Sequence, residues 1–425
     1  MKRLKQILVI LMVMVSTALL PEIAHMPYKD TTRFVGYAEE SEVLAEDDYE
    51  DFHWKVTADG KLTIFPKEEG TNAEINDFYM TLENPDPLDI NNHYMEVPTP
   101  QPWNEYCGDI TSVVIEEGIT SIGAYAFDSM MLSSVFIADS VVDIEKKSFY
   151  ATSIENIKWS QGLRSIGESA FQGLKIKELD LPESLKNIGD SAFRNCTGIS
   201  SLTLPDSLKN IGEFAFANCS SISNISLPDR LETLSQGSFY GCKALTSVTF
   251  GNGITEIPWD CFSECSSLKS VVINGNISVV GTTAFSHCSS LSYAYLGKNV
   301  NIIRGSAFGA CPNLEKIIII NPDTEILTNA IDTTKCTIYG AANSTAFKYA
   351  NRYKEISPFE VYGDVNFDGD FSIADLLTLQ KWLANDVSVK IESWQHGDFC
   401  TDGKLNVFDL CCMKKKLIDW QESNR

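Results

Sequence analysis

The chain has 425 residues, room for two or three domains, and its 57 acidic against 34 basic residues give a formal charge of −23. A nucleic acid would be repelled by that charge, so no nucleic-acid partner is expected. The five histidines (His25, His53, His93, His287 and His396) are scattered, none framed with a Ser or Cys and a carboxylate, and no glycine-rich phosphate loop occurs. No enzyme activity and no catalytic residue is therefore expected.

Residues 1–6 are a basic start, and Ile7 to Leu20 is an uncharged, mostly apolar run. A spanning helix needs about 20 apolar residues. The shorter run reads as the core of a secretory signal peptide over residues 1–38, cut after Ala38, with a buried amino-terminal helix as the alternative. No other segment is apolar enough to span a membrane, so a secreted, extracellular protein is expected. Residues 39–104 hold an acidic tail and then a β cap: Trp54 to Ile64, turning at Asp59-Gly60, reads as a hairpin, and Pro102-Trp103 leads into a periodic region.

From 105 to 352 the sequence repeats. Phenylalanines stand at 127, 149, 171, 193, 216, 239, 262, 285 and 308, at intervals of 22 and then 23. In the unit starting at Leu245, Val248 and Phe250 alternate with polar neighbours, the pattern of a short strand with one buried face. A turn, a second apolar step and a short curl ending in Phe262 and Cys265 complete it. Seven apolar side chains, at about 1.5–3 kcal/mol each, do not offset the ordering of a whole unit at about 1–2 kcal/mol per residue. Units must therefore stack and share one core, as a solenoid does. Cys196, Cys219, Cys242, Cys265, Cys288 and Cys311 recur every 23 residues, one per unit. They read as a ladder of small buried side chains, with no zinc or disulfide role.

The pattern Leu-x-x-Val-x-Ile/Leu-Pro-x-x-Leu-x-x-Ile-Gly-x-x-Ala-Phe-x-x-Cys, fullest in Ile199 to Ser221, resembles the BspA-like leucine-rich repeats. The resemblance implies a leucine-rich-repeat solenoid, a β-strand plus loop or short helix per 22–23-residue repeat, closed by Thr337 to Asn351 as a final rung. It also implies adhesion or protein contact. Outward strand positions are mostly small and polar (Ser201, Thr203, Ser247, Thr249), but Tyr293 and Tyr295, flanked by Val272 and Ile318, make a candidate contact patch for a protein or carbohydrate ligand. The alternative is that this patch packs beneath the final rung or the next domain.

After a linker at 353–361, residues 362–420 hold two related twelve-residue loops, Asp364 to Asp375 and Asp398 to Asp409. Oxygen-bearing side chains at positions 1, 3, 5, 9 and 12, with Gly at 6, suit a hard cation such as Ca²⁺. The expected first-site ligands are Asp364, Asn366, Asp368, the Asp370 carbonyl, Ser372 through a water, and Asp375. The second set is Asp398, Asp402, Lys404 at the position matching Asp370, Asn406 and Asp409. Cys400 replaces the oxygen ligand at position 3, so the second of the two Ca²⁺ sites is expected to be weaker. A disulfide from Cys400 to Cys411 or Cys412 is the other reading. Clustered carboxylates make folding of this segment calcium-dependent. An apolar helical pattern follows each loop: Leu376, Leu377, Leu379, Trp382 and Leu383, then Leu410, Cys411, Met413 and Leu417, with Lys414, Lys415 and Lys416 on the other side.

The duplicated Gly-Asp-x-Asn-x-Asp-Gly-x-x-x-x-x-Asp-Leu resembles the type I dockerins, small all-α calcium-binding domains of cellulosome components. The resemblance implies that a scaffoldin cohesin is bound through Ile373, Ala374, Gln380 and Lys381 in the first repeat and Val407, Phe408, Lys414 and Lys415 in the second. Packing of Phe408 inside the module is the competing assignment, and Ala374 against Phe408 predicts one dominant docking orientation. The expected whole is a non-catalytic cellulosome subunit; a free adhesin, or an enzyme or inhibitor built on the repeats, are the alternatives.

Overall fold

The computed structural model describes residues 41–83, 94–331, 336–341, 344–352, 359–361, 363–365, 371–386, 388–389, 391, 397–400 and 404–423. The expected signal peptide lies outside the described residues. After the first rung, whose two strands are four residues each, the rungs up to residue 326 contribute one strand of three or four residues and one of two, and the paired strands lie parallel and in register. Val271 stands opposite Ala294, Ala294 opposite Ile317, and Ile317 opposite Ile338. On the other ladder Ile122, Ile144, Ile166, Ile188, Ile211 and Leu234 form one inward row. Because strand side chains alternate, a single-residue register slip would turn these rows to water. The curl after each short strand is a run of turns, so the repeats form a β-solenoid with no helix among residues 107–331.

Two rows of side chains run inside. Trp103 starts a column of rings that continues through Phe127, Phe149, Phe171, Phe193, Phe216, Phe239, Phe262, Phe285 and Phe308. Successive centroids from Phe193 to Phe262 are 5.3–5.5 Å apart and the rings within 6° of parallel. Beside it the six periodic cysteines are fully buried and free. Each sulfhydryl donates to the carbonyl of the stacked Phe one rung back, Cys219 to Phe193 at 3.1 Å and Cys311 to Phe285 at 3.1 Å. The thiol thus fills a small apolar space and satisfies a buried acceptor.

Burial pushes the Cys242 and Cys311 thiols up to about 12, and those of Cys265 and Cys288 well above their ordinary value. Since the thiolate is the nucleophile, these sulfurs should be inert. Of the twelve cysteines, only the exposed Cys411 and Cys412 are expected to react quickly with a disulfide reagent in the native protein. All twelve should react after denaturation. Peptide mapping that found Cys242 or Cys265 among the fast thiols would contradict the ladder.

The backbone holds a third periodic feature. The residue two before each stacked Phe is left-handed: Tyr125, Lys147, Ser169, Ser191, Phe214, Asp260, Thr283 and Ser306 have φ of 52–60°, and Gly237 shares the conformation. This costs a non-glycine residue roughly 1–2 kcal/mol. It is offset by hydrogen bonding between rungs. Ser191 N–H donates to Glu213 C=O at 2.7 Å and Phe214 N–H to Gln236 C=O at 2.9 Å, and the stacked phenylalanines bond likewise.

Both ends are closed. Strands β1 (Val43–Tyr49), β2 (Phe52–Thr57) and β3 (Lys61–Pro66) are antiparallel, and β3 then pairs in parallel with Ser112–Ile115, the first rung. Gly60, at φ 79°, ends the β2–β3 turn where a Cβ would lie 2.6 Å from the Asp109 carbonyl. At the far end helix α1 (Thr345–Arg352) buries Ala346, Tyr349 and Ala350 against the last coil. Phe359–Val361, expected to be linker, instead pairs in parallel with Thr337–Gly340. The solenoid sheet therefore runs almost to the first residue of the calcium-type loop.

Candidate functional site

The site is the carboxyl-terminal module, where each loop leads directly into a helix, α2 (Ile373–Leu383) and α3 (Val407–Ser423). Ser372 caps α2, its Oγ accepting from Ala374 N–H at 3.0 Å. Asp375 completes the capping box: one carboxylate oxygen accepts from Ser372 N–H at 2.8 Å and the other from Val365 N–H at 2.8 Å. The second loop repeats the scheme with Asn406 as cap, its Oδ1 accepting from Phe408 N–H at 2.8 Å. Asp409 there accepts from Asn406 N–H at 2.8 Å and Cys400 N–H at 2.9 Å. One side chain thus shapes the loop, starts the helix and stands at ligand position 12.

Asp364, Asp375 and Asp409 are all buried. Taking two carboxylates of one short loop out of water is costly unless a cation shares the space, so the donor set fits a divalent, oxygen-seeking ion. Asn366, Asp368, Asp370 and Asp402 lie outside the described residues. Among the described residues alone, no three His, Cys, Asp or Glu converge as a metal cluster. Cys400 is a poor substitute ligand, because its soft sulfur stands where a hard cation takes oxygen; burial, the Cys412 thiol and the Asp409 carboxylate push that thiol up to about 12. Its sulfur lies 3.5 Å from that of Cys412, and Cys411 and Cys412 are both exposed.

The helices bury one face against each other through Leu379 and Met413, with Val365 from the first loop. Three positions depart from the helical pattern read in the sequence. Leu377 is exposed and joins Ile373 one turn earlier; Cys411 is exposed; Lys416 turns inward, its amine 5.6 Å from the centroid of the Phe399 ring. Burial pushes the Lys416 ammonium down to about 8. All eight positions expected to meet a partner are exposed: Ile373, Ala374, Gln380 and Lys381 on the first helix, Val407, Phe408, Lys414 and Lys415 on the second. Ile373 and Val407 are each 57% exposed and Phe408 69%. Phe408 therefore does not pack inside the module. Leu377 and Ile418 are also exposed apolar residues of the two helices, beyond the positions expected from the sequence. The signal for Leu377 was its place one turn beyond Ile373.

The aromatic patch on the last rungs is partly covered. Val272 stays exposed, Tyr293 and Tyr295 are half-buried, and Ile318 is 1% exposed in a cluster with Tyr339, Ile320 and Phe399. Ile318 is thus no open contact residue. Burial raises the hydroxyl pKa of both tyrosines above the ordinary value, and the Tyr295 and Asp398 charges add to this at Tyr293.

A model of the BspA type leucine rich repeat region matches residues 104–223 and 209–337, in 6 copies, and a model of the dockerin type I domain matches residues 362–418. No curated protein matches the chain. Among solved structures, a leucine-rich repeat protein from Bacteroides ovatus is 20% identical, covers 74% of this chain and 99% of its own, and has a TM-score of 0.37. One from Eubacterium ventriosum is 19% identical over 67% of this chain and 93% of its own, with a TM-score of 0.34. A leucine-rich cell surface protein from Faecalibacterium prausnitzii is 19% identical over 74% and 97%, with a TM-score of 0.30. Among the described residues no helix is long and apolar enough to cross a membrane.

Proposed function

The chain belongs to the BspA-type leucine-rich repeat family and carries a type I dockerin domain, and from this we propose a secreted, non-catalytic cellulosome subunit. In this reading the module binds two Ca²⁺ ions, the second more weakly, and docks on a scaffoldin cohesin. The repeats hold a protein or carbohydrate target on their outward strand face, where Ser201, Thr203, Asn224, Ser226, Ser247, Thr249 and Val272 are exposed. The observation that carries the docking half is the exposure of Ile373 and Leu377 on one helix and of Val407 and Phe408 on the other. Apolar side chains at such exposure, with the exposed Lys381, Lys414 and Lys415 on the same helices, have the make-up of an interface core with charged neighbours.

The test is calorimetric titration of the full chain with a panel of cohesins. Binding should be seen with calcium and lost with a chelator. Ile373→Asp combined with Phe408→Asp should weaken it at least a hundredfold while leaving calcium binding intact. No cohesin binding, or binding indifferent to both treatments, refutes the reading. Ala374 is small where Phe408 is large, so one docking orientation should dominate in the complex.

A further inference from the structure

The two loops differ in what their second residue does. In the first loop that residue is Val365, buried in the core of the module, its N–H on the Asp375 carboxylate. In the second it is Phe399, and the carboxylate of Asp409 is instead met by the N–H of the third residue, Cys400, while Phe399 N–H donates to Gly397 C=O at 2.9 Å. The Phe399 ring belongs to two apolar clusters. Within the module it lies 5.5 Å from Phe371 and packs on the group around Leu379 and Met413. Outside the module it packs on the buried pair Ile318 and Tyr339 of the last rungs, against which Tyr293, Tyr295 and Ile320 also pack.

We infer that the second loop is an intramolecular latch: Phe399 seats the carboxyl-terminal module on the Tyr293–Tyr295–Ile318–Tyr339 face of the solenoid, and metal in that loop sets whether the latch is closed. Two further observations agree. Lys416 of α3 stands over Phe399 and also lines a cavity of about 430 Å³ with Tyr295, Ile320 and the turn at Asn274–Asn276 of the solenoid. Phe359–Val361 is a solenoid strand, which brings the module within a few residues of the last rung. A buried aromatic anchor meeting a ring of aromatic and aliphatic side chains is how small interfaces concentrate their energy. The occupant of the patch is therefore this chain's own loop, and Asp398 and Phe399, adjacent in sequence, tie the metal site to the seat. Closing the latch leaves Ile373, Val407 and Phe408 exposed, so the partner-binding surface is not spent on it.

The coupling to metal rests on the calcium reading above; the seat itself does not. Nitration of tyrosines in the full chain, followed by peptide mapping, reads both. With calcium present, Tyr293 and Tyr295 should react several-fold more slowly than after chelation. Phe399→Ala should bring the fast rate even with calcium. Because Phe399 also belongs to the core of the module, Ile320→Glu, on the solenoid side alone, is the second variant, and it too should release the tyrosines at least threefold. Unchanged nitration in Ile320→Glu overturns the latch. Release by Ile320→Glu but not by chelation overturns the coupling. Calorimetry showing no calcium binding would sink the metal reading and leave the Ile320→Glu result to judge the seat.

Discussion

Phe216→Ala is expected to cost about 3–5 kcal/mol and to open the solenoid from its middle. The ring is fully buried between Phe193 at 5.3 Å and Phe239 at 5.4 Å, nearly parallel to both. Its loss removes the transfer energy of one ring and two ring contacts, each worth about 0.5–1.5 kcal/mol beyond area. It also leaves a cavity that neighbouring rungs, fixed by inter-rung hydrogen bonds, cannot collapse into. Solenoid stability is a sum of unit and nearest-neighbour terms, so the damage should be local. Phe308→Ala is the comparison, because the ring column ends there with Phe285 as its stacked neighbour at 5.4 Å. It should cost less and fray only the far rungs. Hydrogen exchange resolves the two: in Phe216→Ala the amides of both flanking rungs should lose protection. Equal, chain-wide loss in both variants would mean that the repeats unfold as one block and that the nearest-neighbour account is wrong.

That column was legible because its chemistry is singular. One ring per rung stacks in the column, so phenylalanine recurs at a fixed, countable spacing. The cysteine row was equally visible, but its hydrogen bond to a carbonyl one rung away was not, since sequence spacing says nothing about which acceptor is left over. The left-handed position two before each Phe was hidden entirely. It is occupied by Tyr, Lys, Ser, Phe, Asp and Thr as well as Gly, because stacking, not residue type, enforces the conformation.

In the module the loops could be read from ligand spacing alone. Lys416 and Leu377 depart from the helical pattern because that pattern ranks residues by hydropathy, whereas the solenoid beside α3 gives a lysine stem apolar surface to lie on and the bare face of α2 keeps a leucine in water. Phe359–Val361 reads as linker for a related reason. Its alternation is too short to announce a strand, and it pairs only because Thr337–Gly340 offers it an open edge.

Asp375→Ala should abolish the folded module outside very high calcium and lower cohesin affinity more than a hundredfold. The substitution removes a ligand position and, with it, the acceptor for Val365 N–H and Ser372 N–H. Each buried donor left without a partner costs about 1–3 kcal/mol. The metal's own contribution, about 2.7 kcal/mol at a hundredfold excess over Kd, is lost as well. A domain of this size has only a few kcal/mol to spare, since small cores bury proportionally little surface. Asp375→Asn separates the two effects. It retains an acceptor oxygen but not the charge, so the module should fold when calcium is raised and bind it more weakly. Asp386→Ala is the charge-matched control: that carboxylate is exposed and serves only its own turn, accepting from Ser388 N–H at 3.0 Å and Ser388 Oγ at 2.6 Å. It should leave calcium and cohesin binding within twofold of the parent. Chelation is the deciding arm. If Asp375→Ala has emptied the first loop, a chelator should weaken it far less than it weakens the parent chain; an equal further loss would place the controlling ion elsewhere.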